Sequence, residues 1–163
     1  MRTSRVGSFG GADPRVGTAT NDNAATGMIG EFVTATVASA GAVSLTNATA
    51  ANVTSVSVTA GDWDFSWVVD FKPAATTSVT NLQGSISLTT ATLNTQAGGS
   101  GIGTEALAIF DTAANVLGAD FSLPGGPVRC SFASTQTVYL VAQSAFAVST
   151  MGAYGTLRAR RMR

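Results

Sequence analysis

Between Gly61 and Lys72 the chain reads Gly-Asp-Trp-Asp-Phe-Ser-Trp-Val-Val-Asp-Phe-Lys, and its side chains alternate in character. Trp63, Phe65, Trp67, Val69 and Phe71 share one parity. Asp64, Ser66, Asp70 and Lys72 share the other, with only Val68 out of place. A period of two held over ten residues predicts a strand with one dry face and one wet face. Both tryptophans of the chain and two of its eight phenylalanines lie on the dry face. Aromatic side chains bury roughly 150–250 Å² each, so at about 25 cal/mol per Å² this strand outweighs any other in the chain. It is expected to be central, with the remaining strands packed around it.

The other segments agree with that frame. Strands are expected over 31–38, 43–47, 52–59, 79–90, 106–110, 128–132, 137–144 and 153–161, separated by turn residues and ended in places by proline. Residues 93–104, with Gly98, Gly99, Gly101 and Gly103, read as an exposed, mobile loop, and 115–126 reads mostly as loop. No sustained i, i+3, i+4 pattern is present, so helix content should be low. The expected fold class is all-β: an antiparallel, jelly-roll-like sandwich over residues 29–163 with an extended N-terminal arm over residues 1–28. The arm has five glycines and few large apolar side chains, too little to offset its ordering entropy alone. It can be a plain tail, or an arm ordered by a partner through Arg2, Arg5, Phe9, Arg15 and Val16.

Charge sharpens the second reading. The chain has nine basic and nine acidic residues, but seven of the basic ones lie within the first fifteen and last six positions. Residues 16–157 hold two basic groups against eight acids, a net of −6. An acidic body with basic ends suits assembly with further copies of itself. The closing Arg158, Arg160, Arg161 and Arg163 have three readings. Nucleic acid binding lacks a basic face on the body and aromatic platforms among the arginines. Solvation of a chain end is the bland reading. Pairing with carboxylates across a protein interface is the one carried forward, with Arg158 and Arg160 on one strand face.

Enzymatic chemistry finds little support. There is no histidine, hence no Ser-His or Cys-His pair, and the commonest zinc ligand is missing. The glycine loop fits neither the dinucleotide fingerprint nor the P-loop. Asp62, Asp64 and Asp70 read as the wet side of a strand rather than as a calcium or acid–base site. Cys130 shares parity with Val128 and Phe132 and reads as a small buried hydrophobe. The two Asn-x-Thr matches, at Asn47 and Asn52, read as chance in a Thr-rich chain. No secretory signal and no apolar run long enough for a membrane span is recognised. The expectation is therefore no enzyme, no cofactor, no metal, no nucleic acid and no membrane partner.

Several segments resemble small virion proteins of tailed bacteriophages and prophages. They are Gly30-Glu31-Phe32-Val33, Val43-Ser44-Leu45-Thr46, the run from Asn52 to Asp64, and Thr137 to Gln143. Phe146, Val148 to Met151, Ala153-Tyr154-Gly155 and Arg158-Ala159-Arg160-Arg161 extend it, so the likeness spans about residues 29–163. Gly61 to Phe65 is also similar, in architecture alone, to a strand of C1q/TNF-type trimeric jelly rolls. The resemblance implies a homotrimeric jelly roll on the virion, either decorating the capsid (a cement protein) or serving as a head or tail fibre module. It places the arm on the major capsid protein or another virion protein, and Tyr154, Arg158, Arg160 and Arg161 at the interface between copies. A fibre module would instead hold host surface carbohydrate, with Tyr139, Tyr154 or the 93–104 loop as its platform.

Overall fold

The alternation that dominates the sequence is realised as one long central strand. The computed structural model describes residues 20, 22–94 and 102–163. Arg2, Arg5, Phe9, Arg15 and Val16 lie outside the described residues. Among the described residues nine strands follow in order: β1 (Phe32–Val37), β2 (Val43–Leu45), β3 (Ala51–Val58), β4 (Gly61–Pro73), β5 (Ser78–Ser87), β6 (Leu107–Val116), β7 (Phe121–Phe132), β8 (Gln136–Ala147) and β9 (Met151–Arg161). One sheet has the order β1-β9-β4-β7, with β2 continuing β1 along β9; the other has the order β3-β8-β5-β6. Every pairing is antiparallel.

With β1 and β2 counted as one strand broken by the short turn Ser39–Gly41, these are two four-stranded sheets. The chain crosses from one sheet to the other at every step except from β5 to β6. β9 returns between β1 and β4, and β8 between β3 and β5. That is the doubly wound Greek key of a jelly roll. β4 lies between β9 and β7, and Trp63, Phe65, Trp67, Val69 and Phe71 all enter the space between the sheets. They meet Val79, Leu82, Ile86, Val138 and Leu140 from the opposite sheet.

The observed elements depart in several places from the expected ones and from simple alternation. Residues 121–126 are strand rather than loop: β7 runs through Pro124, Gly125, Gly126 and Pro127. β7 is an edge strand, where proline interrupts no inner ladder, and its register shifts opposite the Phe65–Trp67 step of β4. The Trp67 ring lies where a side chain on Gly125 would be, so glycine at 125 makes room for the indole. β6 extends to Val116, well beyond the short strand expected at 106–110. The 93–104 loop is anchored at both ends, for Asn94 and Ile102 are buried; residues 95–101 lie outside the described residues. Finally, Ser85 and Ser87 are buried on the outer face of β5, because the following segment folds back and the Asn94 amide donates to Ser85 Oγ at 3.1 Å. In β3 a register shift between Asn52 and Thr54 brings Val53, Val56 and Val58 all into the core, which simple alternation could not give.

Cys130 keeps its expected parity but is half-buried. Burial pushes its thiol up to about 11, and Glu105, Asp64 and Asp62 add to the rise. Alkylation by iodoacetamide at pH 8 should therefore run tenfold or more below that of a small free thiol, and accelerate steadily towards pH 11. A rate at pH 8 equal to that of glutathione would contradict this placement.

Candidate interaction surface

Along β9, Met151, Ala153, Gly155, Leu157, Ala159 and Arg161 point inwards, while Tyr154, Thr156, Arg158 and Arg160 face out. Antiparallel register sets their neighbours. Arg160 lies between Phe32 of β1 and Asp64 of β4, and Arg158 lies between Thr34 and Ser66. The result is a shallow open cleft on the outer face of this sheet, lined by Phe32, Asp64, Phe65, Ser66, Arg158 and Arg160. The structure thus brings Tyr154, Arg158 and Arg160 onto one face, as parity predicts. The Tyr154 hydroxyl donates to Asp120 at 2.8 Å, and this bond, with some burial, holds its pKa above the usual phenol value.

Arg161 is not part of that exposed face. It is 5% exposed, and its Nε donates to Glu31 Oε2 at 2.9 Å. Its other nitrogens donate to the Ala60 carbonyl at 2.9 Å and to the Thr59 hydroxyl. The guanidinium lies 4.4 Å over the Trp63 ring, whose indole N–H donates to the Thr59 carbonyl at 2.9 Å. The charge assigned to an interface is therefore satisfied inside its own chain. Gly61, at φ 140°, leaves the space that the guanidinium fills. Burial alone would raise the Glu31 pKa, but the Gly27 amide and Arg161 together bring it below the ordinary value.

Asp62 is also buried rather than wet. Arg129 and Arg163 both pair with it, Arg163 Nε at 2.8 Å, and the Arg129 hydrogen bond leads the effects that hold its carboxyl below the usual range. The sequence carried only part of the signal for these two residues. Arg161 has the parity of Leu157 and Ala159, and Asp62 begins a strand that the closing segment overlies. Parity within a single strand does not reveal what lies over its end.

Three of the five described arginines are thus consumed by internal ion pairs. No carboxylate among the described residues lies within ion-pair distance of Arg158 or Arg160. Beside them is an apolar rim: Met28, Ile29, Phe32 and Met162 are each about half exposed. Residues 22–28, assigned to the arm from sequence, are already held against the body. The Asn23 side-chain amide exchanges two hydrogen bonds with the Phe32 backbone (2.7 and 2.8 Å), the Gly27 amide donates to Glu31, and the Gly30 amide donates to the Arg161 carbonyl. The chain preceding them therefore departs from this same corner.

The side-chain amide of Asn47 accepts from the Phe146 backbone, and that of Asn52 holds Thr90 and Ala91, so both have structural partners. Among the described residues no group of three or more His, Cys, Asp or Glu is placed to hold a metal ion. None of the described residues forms a helix long and apolar enough to cross a membrane. No protein-family model and no curated protein sequence matches the chain.

Proposed function

We propose that the chain is a non-enzymatic structural protein of a bacteriophage virion. It is a trimeric capsid decoration (cement) protein whose jelly-roll body packs beside its own copies and whose N-terminal arm ties it to the major capsid protein. The observation that carries this reading is the unspent charge at one corner of the body. Arg158 and Arg160 stand exposed, without acidic partners among the described residues, beside the apolar rim of Phe32, Ile29 and Met162. An apolar patch next to unpaired guanidiniums is the composition of a protein-binding surface. The particle setting comes from the resemblance of residues 29–163 to virion proteins. The arm enters because its root lies at this corner and its arginines match an acidic partner.

A chain lacking residues 1–19 tests the arm. It should remain folded and oligomeric, because the contacts made by residues 23–30 are kept, yet fail to co-sediment with capsids stripped of the native protein. Ordering the arm costs about 1–2 kcal/mol per residue, so its contacts must be numerous and their loss complete. Full occupancy by the shortened chain would refute the anchoring role. Specific retention on a glycan array, with no capsid binding by the full chain, would favour the carbohydrate-binding fibre reading instead.

A further inference from the structure

Residues 22–30 lie against the body without a buried side chain among them. None belongs to the core, and Met28 and Ile29 stand 50% and 51% exposed. What holds the segment is polar. The Ala25 carbonyl accepts from the Met28 amide, the Met28 carbonyl from Glu31 and the Arg161 carbonyl from Gly30, at 2.9, 3.1 and 3.0 Å. Gly27 and Gly30 take φ of 86° and 91°, a region that favours glycine, and the turn so made aims the Gly27 amide at Glu31 Oε2, 2.8 Å away. Arg161 Nε donates to that same oxygen at 2.9 Å. Glu31 is 6% exposed and Arg161 5%, so the pair is a buried attachment. The Asn23 bonds to Phe32 are exposed, where water competes for them.

We infer that residues 22–30 are a strap latched to the jelly roll by the Glu31–Arg161 pair, and that the strap opens as a unit while the sandwich stays folded. A buried ion pair adds little net stability, since desolvating both charges offsets their attraction, but losing one partner strands the other. The pair therefore selects between two arrangements: closed with both charges matched, or open with both in water. The apolar side chains that join the sheets include no residue of the strap, so opening leaves them in place. Arg161 keeps its other anchors when Glu31 departs, for the Ala60 carbonyl, the Thr59 hydroxyl and the Trp63 ring all belong to the body. A segment with so few buried contacts opens at a lower free energy than the fold as a whole. Opening moves the departure point of the preceding chain to residue 31, which adds up to about 30 Å of reach. The strap is thus a length adjustment for the chain before it, and it stands whether or not the protein assembles with its own copies.

Hydrogen exchange read amide by amide on the full-length chain tests the strap. In the parent chain the Met28 and Gly30 amides should exchange more slowly than in an unstructured peptide, yet roughly a hundredfold or more faster than those of β4. Glu31→Ala should bring both to within about threefold of the unstructured rate, while the β4 amides stay roughly a hundredfold or more slower. Gly27 is left out of the readout, because the substitution removes its own acceptor. Asn23→Ala, which deletes the exposed bonds to Phe32, should leave Met28 and Gly30 protected. Protection of these two amides that survives Glu31→Ala overturns the latch, and so does its loss in Asn23→Ala. Parent amides that exchange at the β4 rate or at the unstructured rate overturn the strap itself. A Glu31→Ala chain without protection in β4 does the same, because the pair would then belong to the cooperative fold.

Discussion

A chain carrying Trp63→Ala should lose about 3–5 kcal/mol of unfolding free energy, the range for removing a fully buried aromatic side chain. For a chain of this length that lowers the midpoint of thermal unfolding by roughly 10 °C or more. Trp63 is fully buried at the start of β4, and it does more than fill space. Its indole N–H satisfies the Thr59 carbonyl, and its ring face supports the Arg161 guanidinium that holds Glu31. Removing it therefore leaves a cavity, an unmatched carbonyl and a buried cation without its platform. Trp63→Phe separates these effects. It keeps an aromatic face but drops the N–H, and should cost about 1–2 kcal/mol. If the two variants lose the same amount, burial is not what Trp63 contributes. If alanine loses less than about 1 kcal/mol, the N-terminal half of β4 is not the keystone claimed here.

That strand was the most legible part of the sequence, and the reason is physical. β4 has neighbours on both sides and is buried along one whole face, so every second residue experiences the same environment. Period two survives in the sequence only under that condition. β7 hid because an edge strand tolerates proline and glycine, and there the pattern Leu-Pro-Gly-Gly-Pro reflects the demand of the Trp67 ring rather than a turn. β6 hid because Asp111, Ala113, Ala114 and Asn115 have weak strand propensity; its pairing with β5 decides its conformation. The candidate surface divides in the same way. Arg158 and Arg160 were readable as a pair because β9, like β4, has neighbours on both sides. Arg161 and Asp62 were misplaced because their environment is made by residues distant in sequence, Glu31 and Arg129, which no local pattern announces.

Gly155→Ala should be about as damaging as the loss of Trp63, although it adds only a methyl group. Gly155 lies mid-β9 and pairs with Val37 of β1 on one side and Val69 of β4 on the other. Its φ of 150° lies in a region open essentially to glycine alone. A Cβ built there collides with the carbonyl oxygen of Val68, a backbone atom that has no rotamer to escape into. Either the dihedral changes or β9 separates from β4, and both disturb the sheet that presents Arg158 and Arg160. The strained dihedral and the overlap together cost about 2–6 kcal/mol. The paired control is Gly118→Ala, where an added Cβ meets nothing within 4 Å; that change should stay within about 0.5 kcal/mol. Denaturant unfolding of the two variants reads the difference directly. Because the collision is with backbone, Gly155→Ala should also loosen the Arg158/Arg160 face, so its assembly should weaken even where the chain still folds. Equal stability of the two variants would mean that β9 is not packed against β4 in this register, and the face built on that register would go with it.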